Sequence, residues 1–79
     1  MKGMHIKTDN SIEFVKSKGK KFTLEELQKY VGGYVEIVRL PQGDMYVDED
    51  GQLKTLPVNI PASAIAGRMI VGDVLLVVK

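Results

Sequence analysis

The C-terminal segment Val74–Val78 is the feature that most restricts how this chain can fold. It consists of five consecutive apolar residues, three of which are valine. Successive side chains of a strand point to opposite faces of a sheet, so an all-apolar strand needs cover on both faces. The run is far shorter than the roughly 20 residues that cross a bilayer. We therefore predict that this segment is a central strand of a covered sheet.

Composition narrows the kind of protein that can surround such a strand. A chain of 79 residues is expected to form a single domain, residues 1–79, with a small core. The absence of cysteine excludes disulfides, a thiol nucleophile and thiolate metal sites, and a single histidine excludes a histidine-rich metal cage. We expect no cofactor. No signal-like apolar run follows Lys2, so a cytoplasmic location is expected, with no membrane partner.

One helix is strongly indicated at residues 24–31. Thr23 and Glu26 have the T-x-x-E spacing of a capping box, and Phe22 and Leu27 have the spacing of a hydrophobic staple. Gly32 and the glycine after it can end the helix, because glycine adopts a left-handed conformation without a Cβ penalty.

The remaining segments predict an α+β domain with a mostly antiparallel sheet of five to six strands and one main helix. Residues 3–7 and 12–16 are expected to form a hairpin, followed by strands at 34–40, 45–47 and 52–54. Residues 62–66 are expected to form one short helical turn before the last strand. The predicted order is therefore β-β-α-β-β-β-(short α)-β.

Charge is distributed unevenly along the chain. Residues 1–21 contain six lysines and two acids, a local balance of +4, whereas residues 36–50 have a balance of −4. The acids Asp44, Asp48, Glu49 and Asp50 are expected to form a solvated hairpin tip. The lysines at 16–21 lack the interleaved aromatics and arginines of nucleic-acid interfaces, so nucleic acid is not expected as a partner. The asymmetry predicts a dipolar surface, suited to an anionic ligand or to a second subunit.

Six polar or aromatic residues remain as candidates for binding. Tyrosine rings could stack on a base or sugar, arginines could contact phosphate, and Asn59 could either bond the local backbone or recognise a polar edge. No acid–base pair or nucleophile context accompanies them, so we expect no catalysis. The candidate ligand-binding residues are Tyr34, Arg39, Tyr46, Glu49, Asn59 and Arg68.

Several motifs together resemble a family of small proteins and domains of unknown function carried by bacteriophages, plasmids and other mobile elements. The likeness extends from about Phe22 to Val78. The resemblance implies a phage or mobile-element origin and an intracellular life in bacteria, and it supplies no catalytic residues. The motifs are LEELQ at 24–28, VGGYVE at 31–36, VDEDG at 47–51, LPVN at 56–59 and IVGDV at 70–74.

Three functions follow as hypotheses. The first is a non-catalytic binding protein, expected to be a homo-oligomer, that sequesters a small nucleotide-like host ligand as counter-defence. The second is an inhibitor or regulator of a host protein, and the third is a nucleic-acid-binding accessory protein. The oligomer is expected because one helix cannot cover the apolar positions of residues 34–40 and of the last strand.

Overall fold

A computed structural model describes residues 1–78 and contains five strands and two helices. In chain order they follow the sequence β-β-α-β-β-α-β. The elements are β1 (Lys2–Ile6), β2 (Ile12–Lys16), α1 (Leu24–Val31), β3 (Val35–Leu40), β4 (Gly43–Asp48), α2 (Ile60–Ala66) and β5 (Val74–Val78). This is the predicted α+β class.

All five strands form one antiparallel sheet in the order β2-β1-β5-β4-β3. The last strand of the chain therefore lies in the middle of the sheet, as its apolar run predicts. Leu75 and Val77 pack with Leu27 on the α1 side, whereas Val74 and Leu76 pack with Ala62 on the α2 side. The expectation that most of β5 stays uncovered is wrong, because α2 covers the face that α1 leaves open; of its five residues only Val78 is exposed, at 45%.

The predicted start and end of α1 are confirmed. Glu26 N–H donates to the Thr23 hydroxyl at 3.1 Å, and the Glu26 carboxylate accepts from Thr23 N–H at 3.0 Å. Gly32 ends the helix with a φ of 88°, in the left-handed region. These local bonds fix where α1 begins before any packing against the sheet is considered.

The strand predicted at 52–54 is wrong. These residues lie in consecutive turns, in which Lys54 N–H donates to the Asp50 carbonyl at 2.9 Å and Thr55 takes a positive φ of 51°. The first of these turns is stabilised by Asp48, whose carboxylate accepts the Asp50 N–H at 2.8 Å. The chain therefore coils after β4 and cannot add a sixth strand.

The predicted short helix is confirmed and is longer than expected. It covers Ile60–Ala66, follows an Asn59 cap, and ends at Gly67 with a φ of 69°. Proline at the second helical position is compatible with the helix, since the first N–H groups of a helix have no partner inside it. α2 thus closes the second face of the sheet with seven residues.

Candidate anion-binding cleft

The six residues predicted to bind a ligand do not converge on one site. Glu49 and Arg68 line a common cleft with Glu36, and its volume is about 140 Å³. Tyr34 lines a separate cleft of about 350 Å³ together with Gly33 and Lys54. Only the Glu49 and Arg68 pair is therefore brought together as a ligand site would require.

The other three predicted residues contact the protein itself. Arg39 lies on β3, with its guanidinium 3.7 Å from the Asp44 carboxylate across the β3–β4 pair. Tyr46 packs against the apolar cluster beneath α1. Asn59 is completely buried, and both ends of its side-chain amide are bonded to the backbone. Of the two alternatives for Asn59, the backbone-bonding one is observed, although with distant segments.

The acidic tip is only partly solvated, which corrects the expectation for Asp48. This residue is 7% exposed, and its carboxylate accepts from Lys54 Nζ at 2.8 Å. The hydrogen bond with Asp48 raises the pKa of Lys54. Gly33 leaves the space for this pair, because a Cβ there would lie 2.6 Å from Lys54 Nζ. The pair fastens the 49–56 loop to the end of β4.

A larger cleft opens between α1 and the β1–β2 end of the sheet. Its volume is about 370 Å³. α1 contributes three side chains spaced i, i+3 and i+4, which lie on one helix face. His5 comes from β1, and Lys7 directly follows that strand. We call it the lysine cleft; it is lined by His5, Lys7, Glu13, Lys18, Glu26, Lys29 and Tyr30.

The aromatic part of the lysine cleft is held by a long-range hydrogen bond. His5 Nε2 lies 2.9 Å from the Tyr30 carbonyl, and the two rings meet edge to face with centroids 4.9 Å apart. A carbonyl only accepts, so this nitrogen carries the proton and donates. Tyr30 also packs edge to face against Phe22. These contacts join β1 to the last turn of α1 and hold the wall of the cleft in place.

Both carboxylates of the lysine cleft are engaged by neighbouring donors. Glu13 pairs with Lys7, and this hydrogen bond lowers the pKa of Glu13 and raises that of Lys7. Glu26 accepts from Thr23 N–H and from Lys18 N–H at 3.2 Å, and the Thr23 bond is the main cause of its lowered pKa. Both groups are therefore ionised near neutral pH.

Two ammonium groups of the cleft are available to a ligand. Neither Lys18 nor Lys29 forms an ion pair within residues 1–78. Three lysines against two glutamates leave the lining with a formal charge of +1 when His5 is neutral. Ammonium groups beside aromatic rings suit a small anion with a flat apolar part, since ammonium donates to phosphate or carboxylate and rings stack.

Sequence reasoning missed the lysine cleft because its residues come from four segments. The sequence does predict part of this arrangement. Glu26, Lys29 and Tyr30 share one face of a helix that the sequence predicts well, and His5 and Lys7 share one face of a predicted strand. The sequence pattern does not predict that this helix packs against this strand.

The fold and this cleft define a small α+β domain with a basic recess beneath its main helix. The chain belongs to a family described as a domain of unknown function, DUF3846, whose model matches residues 1–79. No curated protein and no solved structure gives a significant match. Within residues 1–78, no helix combines the length and the apolar character needed to cross a membrane.

Proposed function

We propose that this protein is a non-catalytic binding protein of a bacteriophage or other mobile element, acting in the bacterial cytoplasm. In this proposal it sequesters a small anionic, nucleotide-like host ligand in the lysine cleft as counter-defence. The origin rests on the resemblance of its motifs. The binding role rests on one observation, the placement of the unpaired Lys18 and Lys29 ammonium groups beside Tyr30.

The size of the cleft favours a ligand of this class. Small-molecule sites occupy roughly 300–1,000 Å³, and the lysine cleft, at about 370 Å³, falls in that range. The cleft at Glu49 and Arg68, at about 140 Å³, falls below it. The Tyr34 cleft, at about 350 Å³, is of similar size, but its one lysine, Lys54, is already paired with Asp48. We therefore assign the ligand to the lysine cleft.

The state of the two glutamates favours binding without turnover. A general acid or base works best when its pKa lies near the working pH. Glu13 and Glu26 are instead held ionised by hydrogen bonds that lower their pKa values. Their role in this proposal is to position Lys7 and the Lys18 backbone.

The test measures stabilisation by ligands. Melting temperatures are recorded with inorganic phosphate, nucleoside monophosphates and cyclic nucleotides, for the native chain and for the double variant Lys18→Ala/Lys29→Ala. A ligand at 100 times its Kd stabilises by about 2.7 kcal/mol, which is readily detected. Loss of two ammonium–phosphate contacts weakens binding roughly 100-fold.

A matched control uses Lys20→Ala/Lys21→Ala, which removes the same amount of charge from the loop that contains Lys18 but does not alter the lining of the cleft. This control should bind like the native chain, and binding should weaken as salt is raised. The proposal fails if none of these anions raises the melting temperature, or if the two double variants respond alike.

A second candidate function is the regulation of a host protein. Val58, Ile60 and Met69 are exposed apolar side chains on two segments joined by an Asn59 N–H to Ile70 carbonyl bond of 2.8 Å. Exposed apolar side chains held on a rigid backbone are typical of protein contacts. A host protein recovered with the native chain should then be lost with Ile60→Ser/Met69→Ser.

A further inference from the structure

Strand β2 lies at one edge of the sheet with half of its backbone groups directed outward. Lys7 N–H donates to the Ser11 carbonyl, and Ser17 N–H donates to the Met1 carbonyl, each at 2.9 Å. Bonded and non-bonded pairs alternate in an antiparallel ladder, so the odd-numbered residues of this strand bond β1. The N–H and C=O groups of Ile12, Phe14 and Lys16 consequently point away from the sheet.

This free edge carries the largest apolar exposure found in any strand among residues 1–78. Phe14, at the centre of β2, is 82% exposed, and Ile12 on the same face is 43% exposed. Edge strands of monomeric proteins are commonly protected by short length, charged side chains, proline, bulges or a covering segment. β2 carries Glu13 and Lys16, but it is regular along all five residues and has an exposed phenylalanine at its middle.

Charge along this part of the chain is self-complementary under a two-fold axis. Asp9 and Glu13 lie before Phe14, whereas Lys16, Lys18 and Lys20 follow it. Antiparallel pairing of β2 with a second β2 brings the acidic start of one strand to the basic end of the other. Because a parallel arrangement would bring like charges together, these ends of opposite sign favour antiparallel pairing.

We infer that two copies of this chain pair through β2 to form an isologous dimer with one continuous ten-stranded sheet. Phe14 faces its own copy at the centre, and Ile12 faces Lys16 at both ends. This register uses the outward N–H and C=O groups of all three residues in six backbone hydrogen bonds. It places residues that point to the same face of the sheet opposite each other, as a continuous sheet requires.

The dimer has a consequence for the lysine cleft. Glu13 of β2 lines that cleft, on the α1 side of the sheet. A two-fold axis perpendicular to the sheet keeps both α1 sides on one face, so the two clefts flank the axis. The inference goes beyond the proposed function and does not depend on it, because the edge and its charges exist without any ligand.

The opposite edge, β3, offers the natural comparison. It is one of the two strands that the sequence predicts to meet a partner, and its most exposed apolar residue is Ile37 at 42%. Arg39 on that edge already lies beside Asp44 within the same chain. β3 therefore presents less exposed apolar side chain than β2, which favours β2 as the pairing edge.

The test is the oligomeric state in solution, measured by sedimentation equilibrium over a wide concentration range. A five-residue strand pair is a small interface, so a micromolar dimer is expected for the native chain. Phe14→Ser removes the apolar contact, and Phe14→Pro removes that contact together with an N–H that faces outward. Each should raise the dimer Kd by roughly tenfold or more.

The control is Ile37→Ser on the opposite edge, which should leave the dimer unchanged. A further measurement uses the native chain alone: amide exchange at Ile12, Phe14 and Lys16 should slow as concentration rises. The inference is overturned by a chain that stays monomeric at all concentrations. It is equally overturned by a dimer that survives both Phe14 variants, or by one that Ile37→Ser abolishes.

Discussion

The two helices begin in opposite ways, although each has a polar side chain at its cap. Thr23 bonds Glu26 N–H, three residues away, at the surface. Asn59 also accepts an N–H three residues away, from Ala62 at 3.1 Å, but it is buried. Its amide nitrogen donates to the carbonyls of Ile6 and Gly72, each at 2.9 Å. The Thr23 cap holds only the start of α1. The Asn59 cap holds the start of α2 together with two segments that are distant in sequence.

The difference shows how a small domain can hold a short helix, α2, against its sheet. α2 has only seven residues and is too short to be stable by itself. The Asn59 side chain connects its start to the end of β1 and to the turn before β5. The buried amide of Asn59 thus supplies stabilisation that a longer helix would obtain from apolar packing. We therefore expect its removal to lower the free energy of unfolding strongly.

The largest expected effect belongs to Asn59→Ala. This change removes both buried amide N–H donors and the acceptor of Ala62 N–H, so we expect a loss of about 3 kcal/mol in the free energy of unfolding. A chain of this length has roughly 4–12 kcal/mol in total. Urea unfolding followed by circular dichroism measures the loss.

Asn59→Ser separates the two tasks of the residue. Serine can still accept the Ala62 N–H, as an N-cap does, but its hydroxyl has only one proton and a shorter reach than the amide. We expect a stability between those of the native chain and of Asn59→Ala. If Asn59→Ser equals the native chain, the remote bonds contribute nothing and the contrast between the caps is wrong.

A smaller effect is expected for Thr23→Ala. The exposed cap contributes about 1 kcal/mol, which corresponds to ~4–8 °C in melting temperature for a domain of this size. Thr23→Ser keeps the hydroxyl and should remain close to the native value. A loss for Thr23→Ala as large as that for Asn59→Ala would contradict the comparison.

The same contrast explains which parts of the fold the sequence predicts. The partners of Thr23, Phe22 and Gly32 lie within a few residues, so α1 is predicted with correct ends. The central position of β5 in the sheet is predicted because an all-apolar strand must be buried on both of its faces. Both signals are local, and each is sufficient without knowledge of the rest of the chain.

What sequence reasoning misses depends on contacts between distant residues. Asn59 is separated from Ile6 by 53 positions, and His5 from Tyr30 by 25. The turns after β4 depend on Asp48 and Lys54 meeting beside Gly33. The lysine cleft has the same origin, because its lysines meet only when α1 lies across β1. Residue type alone therefore predicts candidate binding side chains but not which side chains meet in the fold.

The smallest expected effect tests the local cap through its acidity. Accepting from Thr23 N–H lowers the pKa of Glu26 below its ordinary value of 4.5. The folded chain therefore binds the proton less readily, and this stabilisation is present above pH 4.5 and lost as pH falls through the lower, folded value. Glu26→Gln keeps the acceptor but cannot titrate. The difference in melting temperature between the native chain and Glu26→Gln should shrink as pH falls from 5 to 3, whereas a constant difference would mean that the cap does not depend on the charge of Glu26.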